Sequence, residues 1–276
     1  MGELESGFTY IPIDPFPVGT IQSDSCKENP SAVQADLLSS LPDNAVRMLI
    51  ERFDVNGTVV YGVGKVGVKD ERYRVTIDYI NADTVNVRMG IRKTVQAKSG
   101  GNKLIGLFAP LDESLEPGTE SFEVMTVSEK GLPDPTWQEF NIPVYIGVGL
   151  RVSANIYITG TNVSISGIGA IGAEADAQRL KGSLVVQTLG INGKLVAAAL
   201  PIQSELNRTT AENAIVSVSS IKTMLYSDET IKSPRVVGIY LPFPGGKPLV
   251  NRIISELSKT RPGWPRPCVP PTPRKS

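Results

Sequence analysis

Two long stretches of the chain alternate between apolar and polar residues, and this period-two pattern constrains the fold most. Apolar residues occupy every second position over 73–79 and again over 85–91, with Ile-Asn-Ala-Asp at 80–83 between them. Such alternation is typical of antiparallel strands that bury one face. We therefore predict a hairpin over residues 72–92 that turns at 80–83.

A second alternating run covers residues 150–158 and is followed by the turn-like sequence Thr-Gly-Thr-Asn. Val163 and Ile165 resume the alternation, which predicts a second hairpin. Further on, Asn192-Gly193 separates two apolar segments, and this dipeptide favours the tight turn of a hairpin. Because most strands are joined to their neighbours in the chain, we expect antiparallel sheets arranged as a sandwich or an open barrel.

Helical patterns lie toward both ends of the chain. Residues 31–34 match a capping box, and a second helix is predicted to begin at Asp43 or Asn44, with apolar residues at 46, 49, 50 and 53. Later, residues 209–212 match another capping box and residues 249–257 are amphipathic. The expected fold class is α+β, predominantly antiparallel β, with two short N-terminal helices and two C-terminal amphipathic helices.

The distribution of proline and glycine suggests how the chain is organised. Residues 1–30 are rich in Pro, Gly and Ser and predict an extended N-terminal arm, and residues 261–276 predict a proline-rich tail. Between them, residues 31–260 are expected to form a single β-rich domain, with a subdivision considered near residues 128–142.

Composition excludes several classes of function. The chain of 276 residues contains no histidine, so histidine-based catalysis and histidine-ligated metals are excluded. Its 28 basic and 28 acidic residues balance, so no overall charge attracts nucleic acid. No apolar run is long enough for a transmembrane helix. We assign no catalytic, cofactor-binding or metal-binding residue, and no cofactor.

The segment Gly167–Gly172 reads Gly-Ile-Gly-Ala-Ile-Gly, the letters of a dinucleotide-binding motif. Three features argue against that function: the preceding segment alternates Ser with Ile, the following helical pattern is short, and no acidic residue lies between 183 and 204. We interpret the glycines as the bent end of an antiparallel strand.

Basic residues form two candidate anion-binding features. Gly245, Gly246 and Lys247 precede a helical pattern, and a helix N-terminus favours a bound anion. The alternative is a tight turn that simply begins the helix. A second feature is a candidate cationic sheet face, because one set of alternating positions carries basic side chains: Arg72, Arg74, Arg88 and Arg92.

Carboxylates are the remaining candidates for catalysis, because paired acids hydrolyse glycosides without histidine. They cluster at two places, Asp112, Glu113, Glu116 and Glu120 in one loop, and Glu174 and Asp176. The spacing favours a solvated acidic loop over a catalytic pair. The two-faced pattern over 148–166 also suits a membrane-active hairpin, although soluble hairpins share it.

The two cysteines, Cys26 and Cys268, lie near opposite ends of the chain, and we consider a disulfide between them. A leader segment upstream of this sequence would favour an extracytoplasmic location; otherwise the location is open.

Taken together, these observations favour a non-catalytic binding or assembly protein that meets a protein or surface partner through a β-sheet face. A carboxylate-dependent hydrolase of a saccharide-like polymer is the alternative, and a membrane-active β-hairpin protein is the second.

Overall fold

A computed structural model describes residues 9–22, 33–34, 36–38, 40–41, 43–53, 59–61, 66–193, 196, 204–243, 246–266 and 268–269. Within them lie three helices of defined bounds: α1 (Ile168–Asp176), α2 (Arg208–Leu225) and α3 (Lys247–Thr260). The strands are β1 (Thr9–Pro17), β2 (Gly19–Gln22), β3 (Val33–Gln34), β4 (Asp43–Phe53), β5 (Val59–Tyr61), β6 (Val66–Gly67), β7 (Arg72–Gln96), β8 (Asn102–Gly106), β9 (Ser121–Thr126), β10 (Gln138–Ile158), β11 (Val163–Ser164), β12 (Leu180–Leu189), β13 (Ile191–Asn192), β14 (Ser204–Glu205), β15 (Ile231–Lys232), β16 (Arg235–Leu241), β17 (Gly263–Arg266) and β18 (Cys268–Val269).

The centre of the molecule is a ten-stranded sheet with the order β1-β16-β10-β7-β4-β5. Two long strands form its spine, since β7 has 25 residues, β10 has 21, and the two pair from Gln138↔Ile91 to Tyr157↔Arg72. On the side of β10 that faces away from β7, β16 and β12 pair with successive parts of the strand. On the side of β7 that faces away from β10, β4 and β9 likewise pair with successive parts of the strand. The sheet is antiparallel throughout these pairs, so the expected β-rich α+β class is confirmed.

The two predicted N-terminal helices are wrong. Residues 43–53 form β4, which pairs with β7 along its whole length. The apolar positions that suggested a helix are divided between two faces of the strand: Val46 is 57% exposed, whereas Leu49 is 4% exposed. Pairing with a long neighbouring strand therefore overrides a helical spacing. Upstream, Val33–Gln34 forms β3, while residues 31, 32 and 35 lie outside the described part of the chain.

The two predicted hairpins are also wrong, the first because its residues lie within one continuous strand and the second because its two arms do not pair with each other. The segment expected to turn at 80–83 lies within β7, where Ala82 is fully buried and pairs with Gly147 on one side and Asp43 on the other. β10 ends at Ile158, and the returning residues Val163–Ser164 pair with β6 instead. In β7, strand partners on both sides stabilise the extended backbone through the turn-like sequence at 80–83.

Two further local interpretations change. The glycine-rich segment 167–172 begins helix α1, with Gly167 at its N-cap, so it is not the end of a strand. Ile191–Asn192 pairs with Ile231–Lys232, and the second arm predicted after Asn192-Gly193 lies almost wholly outside the described residues. The two C-terminal amphipathic helices are confirmed as α2 and α3.

Candidate functional site

One face of the sheet carries side chains in rows that cross four strands. Directly paired residues on neighbouring strands point to the same face, and successive rows lie two residues apart along each strand. The register therefore defines these rows, from the end of the sheet inward: Phe53, Arg72, Tyr157 and Lys181; Glu51, Arg74, Asn155 and Ser183; Leu49, Thr76, Ser153 and Val185; Arg47, Asp78, Arg151 and Gln187.

A buried ion pair lies in the innermost of these rows. The Arg151 guanidinium donates to Asp78 through Nε at 2.7 Å and through Nη2 at 2.8 Å, and the two side chains are 7% and 0% exposed. Arg151 also donates to the carbonyl oxygens of Ile13 and Val237, and the Tyr10 hydroxyl donates to Asp78 at 2.5 Å. These bonds join β1, β7, β10 and β16 and fix the floor of the face.

The environment of this network changes its acid–base properties. Burial, followed by the negative charge of Asp78, raises the pKa of Tyr10 well above its ordinary value. The pKa of Arg151 is also raised, because the hydrogen bonds and charge of Asp78 outweigh its loss of hydration. Arg151 therefore stays charged, and Tyr10 stays protonated, across the pH range in which proteins are stable.

Beside the ion pair, the face opens into a cavity of about 530 Å³, which we call the sheet cavity. Its walls are β1 at Ile11–Asp14 and one side of α3, including Lys247 and Asn251. Thr76 lies on its floor and is only 5% exposed. The hydroxyl of Thr76 makes no hydrogen bond to any residue that the structure describes, and the same holds for the side chains of Ser153 and Gln187.

Charged side chains of both signs line the sheet cavity. Arg74 donates through Nε to the Asn155 Oδ1 atom at 3.1 Å, and its Nη1 atom lies 4.0 Å from the Glu51 carboxylate. Burial raises the pKa of Glu51, and the charges of Arg74 and Lys247 oppose that effect. Glu51 is thus a half-buried carboxylate whose compensating charges come from two different elements, β7 and α3.

A second cavity of about 480 Å³, which we call the end cavity, adjoins the first at Asn155. It is lined by the outermost row, where Tyr157 pairs with Arg72 on one side and with Lys181 on the other. Tyr157 is 39% exposed, and its hydroxyl donates to Asp70 at 3.2 Å. Two cations therefore flank one exposed aromatic ring.

The structure brings one of the residues predicted for anion binding to this site. Lys247 lines the sheet cavity, and Gly246 is the N-cap of α3 in an extended conformation without a side-chain cap. Gly245 lies outside the described residues. Lys247 and the sheet face, which are far apart in sequence, thus meet at one cavity, and the anion site itself stays a prediction.

The four arginines predicted to form a cationic face lie along one side of β7 but have different surroundings. Arg72 lines the end cavity and Arg74 the sheet cavity. Arg88 forms two hydrogen bonds with Glu139, at 2.6 and 3.1 Å. Arg92 pairs with Glu123 and Asp134 and lies over the ring of Trp137. Arg88 and Arg92, the two arginines nearer to Gln96, are therefore neutralised by neighbouring acidic residues.

The acidic clusters singled out in the sequence do not line either cavity. Asp112 accepts hydrogen bonds from Lys103 and Ser114, which hold its pKa down at about 2. Glu174 pairs with Arg179, and Asp176 accepts from the backbone NH of Arg208. These carboxylates have local structural partners.

Cys268 lies in β18, but Cys26 is outside the described residues, so their disulfide stays a prediction.

Sequence reasoning missed the residues at the centre of the site. Thr76, Asp78, Arg151 and Ser153 are the polar members of the two alternating runs, and their polarity was the signal that the sequence offered. It could not identify the site, because the sequence does not reveal that β4, β10 and β12 are the neighbours of the strand carrying Thr76.

Helices long and apolar enough to cross a membrane are absent from the described residues. In the same residues, no group of three or more acidic or cysteine side chains is placed to hold a metal ion. Searches of family models, curated proteins and solved structures found no match to this chain.

Proposed function

We propose that the protein is a non-catalytic binding protein that holds a small polar ligand in the sheet cavity. The observation that carries this proposal is the floor of the cavity. Thr76 is almost fully buried there, yet its hydroxyl has no partner among the described residues. Because this hydroxyl remains accessible from the cavity, a ligand with hydrogen-bonding groups can bond to it directly.

The surroundings of the floor support the same proposal. The volume of about 530 Å³ lies within the range of small-molecule sites. The Asp78–Arg151 ion pair holds four strands together beside the floor. A rigid floor reduces the conformational entropy lost on binding, which favours affinity.

A thermal-shift screen with amino acids, organic acids, nucleosides and short saccharides tests the proposal. We expect at least one of these classes to raise the melting temperature, by about 5 °C at a ligand concentration a hundred times its Kd. The variant Ser153→Phe fills the sheet cavity and should abolish the shift. The matched control is Asn86→Phe, at an exposed position of β7 that lines neither cavity, and it should retain the shift.

Circular dichroism and the unliganded melting temperature must first show that both variants fold. The proposal is wrong if no compound shifts the wild type, or if the shift persists in Ser153→Phe.

A second candidate function is a carboxylate-dependent hydrolase of a saccharide-like polymer. Glu51 and Asp14 both line the sheet cavity, and burial raises the pKa of Glu51. A carboxyl group with a raised pKa suits a general acid, and a second carboxylate would act as base or nucleophile. Reducing-end release from neutral and acidic polysaccharides would support this function if Glu51→Gln and Asp14→Asn each abolished it. Absence of release by the wild type would exclude it for those substrates.

A further inference from the structure

We infer that the ligand is a short acidic saccharide, whose carboxylate lies in the end cavity and whose hydroxyl groups lie in the sheet cavity. This inference rests on the proposed function, because it names the chemical class of the ligand for the same site.

The charges of the two cavities differ in a way that orients such a ligand. In the sheet cavity, Arg74 and Lys247 are balanced by Glu51 and Asp14, while Arg151 is neutralised by Asp78. In the end cavity, the lining contains Arg72 and Lys181, and these two cations outnumber the adjoining carboxylate of Asp70, which accepts from the Tyr157 hydroxyl. Neither cation forms an ion pair with a described residue. A negative group is therefore favoured in the end cavity, and neutral polar groups in the sheet cavity.

The row geometry places the two cations where one anion can contact both. Arg72 and Lys181 belong to the strands on either side of Tyr157, and neighbouring strands lie about 4.8 Å apart. Their long side chains can converge above the exposed Tyr157 ring. A planar carboxylate fits the guanidinium of Arg72 through two parallel hydrogen bonds.

The aromatic residues of the end cavity suit a sugar ring beside that carboxylate. Tyr157 is partly exposed, and Phe53 lies in the same row. Aromatic rings present flat apolar surfaces together with polar edges, so they contact the CH face of a ring while its hydroxyl groups reach polar neighbours. Asn155, which lines both cavities, would contact the next part of the ligand.

The sheet cavity offers both donors and acceptors, which a polyhydroxylated ligand needs. Thr76 and Ser153 have hydroxyl groups that donate and accept, and Gln187 and Asn251 have amides that do both. Apolar side chains, including Val185 and Ile254, lie between them. A phosphate-rich chain such as single-stranded nucleic acid fits less well, since Glu51 and Asp14 would repel its second phosphate.

The test is titration calorimetry with di- and trisaccharides of galacturonate, glucuronate and mannuronate, with the corresponding neutral sugars and with a short oligothymidylate. We expect at least one uronate to bind more tightly than its neutral counterpart. Lys181→Gln and Arg72→Gln should each weaken uronate binding by about tenfold and leave binding of a neutral sugar unchanged. Arg88→Gln removes an arginine of the same strand that is remote from both cavities, and it should have no effect.

The outcomes separate this inference from the proposed function. The inference is overturned if the neutral sugars bind as tightly as the uronates, if the oligothymidylate binds in place of them, or if no uronate binds. In each of these cases the proposed function stands as long as some compound of the thermal-shift screen binds wild type and not Ser153→Phe. If the screen also finds nothing, both proposals fail.

Discussion

Asp78 and Arg151 face each other across two neighbouring strands, and each is close to fully buried. Besides the two hydrogen bonds between them, the pair is satisfied by three groups: the Tyr10 hydroxyl and the Ile13 carbonyl of β1, and the Val237 carbonyl of β16. A buried charge is tolerated only while its counter-charge and hydrogen bonds remain in place. The pair therefore couples the geometry of the sheet to the position of the cavity floor.

Replacing Asp78 with Asn should destabilise the protein by about 3–5 kcal/mol, because Arg151 would remain buried without a counter-charge. Tyr10→Phe removes only one hydrogen bond to the carboxylate and should cost about 1–3 kcal/mol. Urea unfolding measures both changes. Arg88→Ala serves as the control, since its ion pair with Glu139 is exposed on the surface and should contribute little to stability. Equal effects of Asp78→Asn and Arg88→Ala would contradict this account.

Glu51 and Glu139 should affect stability with opposite dependence on pH. The pKa of Glu51 is raised by burial, so the folded state binds its proton more strongly than the unfolded state, and ionisation destabilises the fold as pH rises above about 4. The pKa of Glu139 is lowered by its bonds to Arg88, so its stabilising effect is lost as pH falls.

The corresponding variants give the measurement. The stability of Glu51→Gln relative to the wild type should increase as pH is raised above about 4, whereas the stability of Glu139→Gln relative to the wild type should increase as pH is lowered below about 4. Urea unfolding at several pH values would detect both trends. A parallel response of the two variants would show that the environment of Glu51 has been misjudged.

At the scale of the elements, α1 and α2 pack closely at Gly172. A Cβ atom at this position would lie 2.6 Å from the Cβ atom of Ala211 and 3.2 Å from the Cα atom of Arg208. The 2.6 Å distance is shorter than a contact between two non-bonded carbon atoms, so the absence of a side chain at Gly172 permits the two helices to pack this closely. Gly169, three residues earlier in α1, has no atom within 4 Å of an added Cβ.

We expect Gly172→Ala to lower the melting temperature, because a helix must move to accommodate the methyl group. Gly169→Ala is the matched control. It replaces glycine in the same helix without a clash and should stabilise by about 0.5–1 kcal/mol through helix propensity. If both variants stabilised the protein, the close helix contact would not exist in solution.

The same elements explain what could be predicted from sequence. α2 was predicted correctly because the buried positions Ala214, Val218, Ile221 and Leu225 follow a helical period. β4 was predicted as a helix because its apolar residues serve two faces of a sheet. β7 was divided in two because Asn81 and Asp83 favour turns locally, whereas partners on both sides keep the strand extended.

The candidate site was predictable only in fragments. Arg74 and Lys247 attracted attention because their charge or their place before a helix is visible in the sequence. Thr76 and Ser153 did not, because their importance comes from lying opposite each other across β7 and β10. Register between strands that are distant in the chain depends on the whole sheet, and local patterns do not encode it.

At the scale of the whole molecule, the two ends of the described chain lie side by side. Gly263–Arg266 runs parallel to Gly19–Gln22, and Cys268 pairs in register with Gln34. These contacts bring the segments adjoining both cysteines into one region, which supports the predicted disulfide between Cys26 and Cys268.

Mass spectrometry of a non-reduced digest should find a peptide that joins the two cysteines. A disulfide that closes so long a loop should stabilise the protein by about 2–5 kcal/mol, so Cys268→Ser should lower the melting temperature under oxidising conditions only. Ser258→Ala, an exposed position in α3, is the control and should behave as the wild type. Free thiols on both residues after oxidation would contradict the prediction.

The pairing of β1 with β16 has a consequence for synthesis of the chain. Thr9 pairs with Leu241, so the first strand of the sheet has its partner only after almost the whole sequence has been made. Arg151 also takes one carbonyl acceptor from β1 and another from β16. A nascent chain that ends before residue 235 therefore leaves this guanidinium with Asp78 alone, and the cavity floor becomes fixed late, when the ribosome has added β16 and β1 has docked against it.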